Sequence, residues 1–155
     1  MQLSDEFTVA VPVGAAWDVL TDVTRIAPCM PGAKLDEVDG DEFRGTMKVK
    51  VGPVAAEYKG KAIFLEQDPT AYRAVLRAEG RETRGQGGAN ATITAQLAPD
   101  GAATRVLVSI DLAITGRVAQ FGRGVLADVS TKLIGQFVNS LESTVLADSV
   151  ETRPV

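Results

Sequence analysis

The sequence contains no histidine and only one cysteine, and these two scarcities exclude the commonest catalytic and metal-binding arrangements. Without histidine the chain lacks the usual general base, the commonest metal ligand, and any Ser-His or Cys-His pair. Cys29 stands alone, so it cannot form an internal disulfide. We therefore predict a protein that is not an enzyme, with no catalytic residue and no metal site, in which Cys29 is a packing residue.

Positive charge and long apolar runs are also scarce. The 16 basic residues are outnumbered by 20 acidic ones, and no basic cluster is backed by aromatic residues, which disfavours nucleic-acid binding. No apolar run approaches the roughly 20 residues that span a bilayer. The first residues lack the charged and apolar regions of a signal peptide. We expect a soluble protein of the reducing cytoplasm.

The chain does contain a regular order of periodic segments. Residues 3–11 alternate as a strand, and two short helical stretches follow at 13–20 and 23–27. Turn signals then separate strands near 33–38, 43–51, 55–66, 71–82, 88–98 and 103–114. Residues 117–147 have helical spacing. This order predicts an α+β fold, a curved seven-stranded antiparallel sheet around a long C-terminal helix, with one domain over 1–148 and a frayed end at 149–155.

One face of the predicted strands carries unusually small side chains. By the period of two, the inner face includes Gly45, Ala56, Gly60, Ala62, Ala74, Ala78, Gly80, Ala89, Ala91 and Ala95. Most of their neighbours on the opposite face are charged or polar. A sheet with so thin an apolar face would enclose a space on the order of several hundred Å³, the size of a ligand pocket. Three glycines of the C-terminal segment, Gly122, Gly124 and Gly135, predict bending or close approach there.

Several separated motifs resemble one known family. They are WDVLTD at 17–22, IAPCMPGA at 26–33, KVKVGP at 48–53, YKGK at 58–61, GQGGANA at 85–91 and TGRVAQFGRG at 115–124. Together they resemble the carbon monoxide dehydrogenase CoxG family, which is part of the helix-grip (StART-like, SRPBCC) superfamily. The resemblance covers residues 2–147.

This resemblance implies a non-catalytic carrier of a hydrophobic ligand. The implied ligand is a menaquinone-like isoprenoid quinone, held non-covalently and with no covalently bound cofactor. The implied partners are a molybdenum-type carbon monoxide dehydrogenase and the membrane respiratory chain. The implied location is the cytoplasm, peripherally at the inner face of the cell membrane, through a tail that family members often carry beyond the domain.

The predicted lining of the pocket combines the sheet and the long helix. It consists of Ile26, Met30, Met47, Tyr58, Phe64, Tyr72, Leu76, Ala91, Ile93, Phe121, Val125, Val129 and Leu133, with Ile26 and Met30 near an entrance. Tyr58 and Tyr72 are interpreted either as hydrogen-bond donors inside the pocket or as core aromatics with their hydroxyls at its rim.

Other functions are compatible with the same residues. An adaptor would recruit or assemble the dehydrogenase at the membrane without ligand transport. A cyclase-like enzyme would depend on Tyr58 and Tyr72. Four arginines, Arg81, Arg84, Arg117 and Arg123, could form a basic mouth, although scattered surface charges explain them better. Residues 85–88 are interpreted as a loose hairpin loop.

Overall fold

The computed structural model describes residues 1–144, which form a seven-stranded antiparallel sheet and three helices. The strands are β1 Gln2–Val9, β2 Ala33–Asp39, β3 Glu42–Val51, β4 Val54–Asp68, β5 Arg73–Glu82, β6 Gly88–Asp100 and β7 Ala103–Ile114. The helices are α1 Val13–Leu20, α2 Val23–Ile26 and α3 Gly122–Ser143, with 3₁₀ turns at Ala27–Cys29 and Val118–Phe121. The predicted α+β class and element order are confirmed. The frayed end predicted at 149–155 lies outside the described residues.

The sheet is a meander that returns to its first strand. Strands β2 to β7 pair in succession, and β1 pairs antiparallel with β7, which gives the order β1-β7-β6-β5-β4-β3-β2. Along β1, β7 and most of β4, buried or half-buried residues alternate with exposed ones, and the predicted small residues fall on the inner parity of their strands. The inner face of the sheet is therefore the one that α3 covers.

Three glycines line up across neighbouring strands. Gly60 of β4 is paired with Gly45 of β3 on one side and with Gly80 of β5 on the other. A Cβ at Gly60 would run into the backbone of Glu79, and one at Gly45 into the backbone of Lys34. Such close approach of backbones is typical of a glycine crease in a curved sheet. The small residues therefore curve the sheet as well as thin its apolar face.

The buried core is divided into two clusters at opposite ends of the inner face. The Trp17 cluster consists of Val9, Val11, Ala16, Trp17, Val19, Cys29, Ala74, Leu97, Val106, Phe137 and Leu141. The Tyr58 cluster consists of Val51, Ala56, Tyr58, Val118 and Leu126. Helix α3 contributes Leu126 to one cluster and Phe137 and Leu141 to the other, so it connects the two ends of the molecule.

The C-terminal helix begins later than the sequence predicts. Residues 118–121 form a 3₁₀ turn, and Gly122 has φ +79°, a left-handed conformation that interrupts the helical path. Helix α3 then runs for 22 residues, about 33 Å at 1.5 Å per residue. The bend predicted from the glycines is present at Gly122. Close approach is not found at Gly124 or Gly135, where an added Cβ would meet nothing within 4 Å. No helix within residues 1–144 has the length and apolarity needed to cross a bilayer.

Candidate functional site

The middle of the inner face is lined by apolar side chains that belong to neither cluster. Leu76 is paired with Ile93, and at the next inner positions Ala78 is paired with Ala91. We define the central band as Leu76, Ala78, Ala91 and Ile93 of the sheet together with Leu133 of α3. Each of these side chains is only half-buried, although it lies on the covered side of the sheet. Part of each of these side chains is therefore still accessible to solvent.

Helix α3 is attached mainly at the two sides of the sheet. Its principal backbone contacts with strands are to β1 at one edge and to β3 near the other edge. The Thr131 hydroxyl lies 3.2 Å from both carboxylate oxygens of Asp5, and Arg123 Nη2 donates to the backbone oxygen of Gln2 at 3.1 Å. The helix thus attaches at both sides of the sheet and passes over the central strands.

The predicted lining residues are distributed over three places. Leu76, Ala91, Ile93 and Leu133 lie in the central band, whereas Met47 of β3 is paired with Tyr58 of β4. Ile26, Met30, Phe64 and Tyr72 pack against the Trp17 cluster, and Tyr58, Phe121 and Val129 belong to or pack against the Tyr58 cluster. Tyr72 meets Trp17 edge to face at a centroid distance of 5.9 Å. Most of the predicted set therefore borders the central space or one of its two ends.

Val125 is the exception, and its inward position is taken by Leu126. Val125 is 41% exposed, whereas Leu126 is buried in the Tyr58 cluster. The sequence prediction counted one continuous helical period from residue 117. Positions four residues apart turn by about 40° around a helix of 3.6 residues per turn, so Val125 falls outside a stripe that is centred on Leu133 and Phe137.

A buried carboxylate lies at one end of the inner face. The side chain of Glu82 is only 1% exposed, and its Oε1 accepts a hydrogen bond from Nη2 of Arg117. Its other oxygen, Oε2, has no hydrogen-bond partner among the described residues. Tyr58, paired with Glu82 across β4 and β5, is also buried. Its hydroxyl likewise has no hydrogen-bond partner among residues 1–144. Leaving such groups unpaired costs about 1–3 kcal/mol each.

The surroundings of Tyr58 disfavour its ionisation. Burial raises the pKa of the Tyr58 hydroxyl above its ordinary value, and the negative charge of Glu82 raises it further. The positive charge of Arg117 acts in the opposite direction and is the smallest of the three effects. Tyr58 therefore stays a neutral hydroxyl, able both to donate and to accept a hydrogen bond.

Two glycine turns cover the Glu82 carboxylate. A Cβ at Gly85 would lie 2.9 Å from Oε2, and one at Gly116 would lie 3.6 Å from it. These turns border an open cleft of about 670 Å³ lined by Glu82, Arg84, Gly85, Gln86, Gly87, Gly116, Arg117 and Gln120. Any side chain at Gly85 would crowd the carboxylate, so glycine is the residue that fits against it there.

The hairpin interpretation of residues 85–88 is confirmed, because they lie where the antiparallel strands β5 and β6 are joined. The backbone N–H of Glu82 donates to the oxygen of Gly87 at 2.9 Å, and a Cβ at Gly87 would run into the backbone of Thr115. This hairpin therefore packs against the turn that precedes α3.

The arginines do not form one basic mouth. Arg84 and Arg117 both line the cleft, but Arg117 is engaged with Glu82, and Arg123 is bonded to Gln2. These arginines thus contact different partners and do not form a single positively charged patch.

Glu82 is the site residue that sequence analysis missed. It has the same parity as Ala74, Leu76, Ala78 and Gly80 on β5, so the alternation alone places a carboxylate on the apolar face. A charged residue on that face is the signal that would have identified it.

Structural comparison finds this fold in proteins of low sequence identity. A conserved protein from Geobacillus kaustophilus has a TM-score of 0.80 at 19% identity, covering 95% of this chain and 96% of that one. The ZhuI aromatase/cyclase from a Streptomyces species has a TM-score of 0.63 at 15% identity, covering 91% and 90%. Norcoclaurine synthase from Thalictrum flavum has a TM-score of 0.62 at 16% identity, covering 94% and 86%. These similarities confirm the helix-grip fold. Because two of the proteins carry the names of enzymes, the absence of catalysis here stays a prediction.

Sequence comparison decides the family. No curated protein matches the chain. The family model for the carbon monoxide dehydrogenase protein CoxG, however, matches residues 6–146, which include both clusters, the central band and the Glu82–Arg117 pair. A match over nearly the whole described fold is consistent with the separated motifs found in the sequence, and this chain belongs to the CoxG family.

Proposed function

We propose that this protein carries an isoprenoid quinone, of the menaquinone type, between a molybdenum-containing carbon monoxide dehydrogenase and the membrane respiratory chain. The observation that carries the proposal is the central band, an apolar surface that faces α3 and remains half-exposed between two packed clusters. An apolar guest would cover it without displacing any core residue.

The shape and chemistry of the central band suit a prenyl chain. Ala78 and Ala91 leave width, while Leu76, Ile93 and Leu133 supply apolar contact. Each methylene that leaves water contributes about 0.8 kcal/mol, so a long prenyl tail gains its affinity from burial rather than from specific polar contacts. The quinone ring then needs only one polar end, and the inner face has such an end at Tyr58 and Glu82.

Membership of the CoxG family supports the choice of partner. The family name links the chain to carbon monoxide dehydrogenase. An enzyme that must deliver electrons to a quinone buried in lipid needs a means of reaching it, and a carrier that shields the quinone from water supplies one. Contact with the membrane surface is part of the proposal, since the carrier must load and unload there.

The test is to identify what the protein holds. The protein is purified gently from its own host, extracted with organic solvent and analysed by mass spectrometry, and the emptied protein is then titrated with candidate quinones. We expect one isoprenoid quinone per chain, recovered and rebound. A clean extract together with no quinone binding would reject the carrier and favour the adaptor interpretation.

A second experiment tests the link to the dehydrogenase. The quinone-loaded protein is mixed with the purified dehydrogenase and carbon monoxide, and reduction of the quinone is followed by absorbance. When the quinone is supplied in vesicles instead, we expect the dehydrogenase to reduce it only if this protein is present. Reduction that is equally fast without it would argue against a carrier.

A further inference from the structure

Two buried polar atoms of the inner face lack partners within residues 1–144. They are the hydroxyl oxygen of Tyr58 and Oε2 of Glu82. Both side chains belong to residues that are more than nine-tenths buried, and the two residues are paired across adjacent strands on the same face. Buried polar atoms in folded proteins are almost always hydrogen-bonded, so two orphans at paired positions indicate a place where a guest supplies the missing contacts.

The orphan atoms lie in line with the central band. Moving along β4 and β5 from Tyr58 and Glu82, the next paired inner position is Gly60 with Gly80, and the one after that is Ala62 with Ala78. Inner positions on a strand are about 7 Å apart. Along these two strands, therefore, no large side chain stands between the polar pair and the apolar surface proposed to hold the prenyl tail.

The chemistry of the pair selects one kind of functional group. Arg117 donates to Oε1, and a carboxylate paired with a guanidinium offers only acceptors at its other oxygen. Tyr58 both donates and accepts. A hydroxyl group satisfies both residues, because it donates to Oε2 while accepting from Tyr58. A carbonyl oxygen also accepts from Tyr58, but it has no hydrogen to donate to Oε2 of Glu82.

We infer that Tyr58 and Glu82 bind a hydroxyl of the ligand's headgroup, so that the reduced hydroquinone is held more tightly than the oxidised quinone. This inference rests on the proposed carrier function and adds to it a preference for one redox state. A hydrogen bond to a charged acceptor corresponds to a preference of about tenfold or more. For a two-electron couple, tenfold tighter binding of the reduced form raises the reduction potential by about 30 mV. The bound quinone would then accept electrons more readily than the free one.

The experiment compares three ligands with the same ring. Under anaerobic conditions the wild-type protein is titrated with a naphthoquinone bearing a short prenyl chain, with its hydroquinone, and with the dimethyl ether of that hydroquinone, by calorimetry. We expect the hydroquinone to bind about tenfold more tightly than the quinone. The dimethyl ether should bind no more tightly than the quinone, because it has no hydrogen to donate. This comparison needs no variant and so does not depend on refolding of a mutated chain.

Variants then assign the preference to the two residues. In Glu82→Gln the side-chain amide can donate an N–H to the carbonyl oxygen of the quinone. We therefore expect the tighter binding of the hydroquinone to disappear or to reverse. Tyr58→Phe should weaken the binding of both forms. Glu79→Gln is the matched control, because Glu79 lies on the same strand with its side chain exposed on the outer face, and it should bind as wild type does.

The outcomes separate this inference from the function on which it rests. If wild-type protein binds neither quinone nor hydroquinone, the carrier function itself fails. If it binds both with equal affinity, or if the preference survives in Glu82→Gln, the carrier function stands and the assignment of Tyr58 and Glu82 is overturned.

Discussion

Glu82 shows how one residue can contradict the pattern around it. Every other inner position of β5 is occupied by Ala, Leu or Gly, yet position 82 carries a carboxylate that is almost fully buried. An isolated charge in such a place would be unfavourable by several kcal/mol. Arg117, 35 residues away in sequence, provides the opposite charge while keeping half of its own side chain in water. The pair also fixes the turn before α3 to the hairpin that follows β5.

At this scale, the effect of removing Arg117 is predictable. Arg117→Ala leaves the Glu82 carboxylate buried without its partner, and we expect a loss of about 2–3 kcal/mol in the free energy of unfolding, measured by urea denaturation. Arg105→Ala is the matched control, because the Arg105 side chain is 53% exposed, as is that of Arg117, but its partner Glu6 is 52% exposed rather than 1%. That variant should lose less than about 1 kcal/mol. Equal losses in the two variants would contradict the assigned role of burial.

The hydroxyl of Tyr58 gives a prediction about pH. Its pKa is raised above the ordinary value of 10.0, so the folded state favours the neutral form more than the unfolded state does. This contribution to stability is complete below pH 10.0 and is lost as the pH rises through the raised pKa. We expect the free energy of unfolding to fall less steeply in Tyr58→Phe than in wild type over that alkaline range. Near-ultraviolet absorbance should locate the Tyr58 transition above 10.0, and a transition below that value would contradict the burial argument.

Among the elements, α3 determines how the inner face is closed. The left-handed Gly122 separates the preceding 3₁₀ turn from α3. Within α3, Leu126, Phe137 and Leu141 face the sheet, and Val125 is left outside. Since Leu133 lies one to two turns from the buried residues at each end, the middle of the helix is the part that faces the central band.

Replacing glycine by alanine should change the free energy of unfolding in opposite directions in the helix and in the sheet. Gly135 lies in the interior of α3 with open space around it, so Gly135→Ala should stabilise the protein by about 0.5–1 kcal/mol. Gly60→Ala would press a methyl group against the backbone of β5 and should destabilise it by about 2 kcal/mol or more. Thermal and urea unfolding of the two variants measure both effects. A destabilised Gly135→Ala would mean that this glycine has a packing role that the structure does not show.

For the whole molecule, the division of the core into two clusters is the property that matters for function. Each end of the inner face is closed by buried side chains, and α3 joins the ends, while the central band stays accessible between them. A domain arranged in this way can be stable with its middle unfilled, because the packing that stabilises it is concentrated at the ends.

Filling the middle should remove uptake without unfolding the protein. Ala91→Trp places a large ring in the central band, and we expect it to abolish quinone binding in the titration described above. Ala113→Trp makes the same substitution on the exposed face of β7, and it should bind quinone as wild type does. Circular dichroism should show native secondary structure in both variants. Undiminished binding by a folded Ala91→Trp would place the ligand elsewhere.

The sequence by itself determined the features that depend on local pattern. Alternation and turn residues predicted the strands, their inner face and its small side chains, and the separated motifs identified the family. These are properties of neighbours along the chain, and the period of two or of 3.6 is enough to specify them. Four of the residues predicted on that basis to line a pocket, Leu76, Ala91, Ile93 and Leu133, lie in the central band.

The tertiary structure alone decided which of the inner residues are packed and which are left accessible. The pairing of Tyr58 with Glu82 depends on the register of β4 and β5, and the contact between Glu82 and Arg117 joins a strand to the turn before α3. The burial of Leu126 rather than Val125 depends on how α3 is rotated against the sheet. Each of these features is a contact between segments that are distant in the sequence, and a periodic pattern does not specify such contacts.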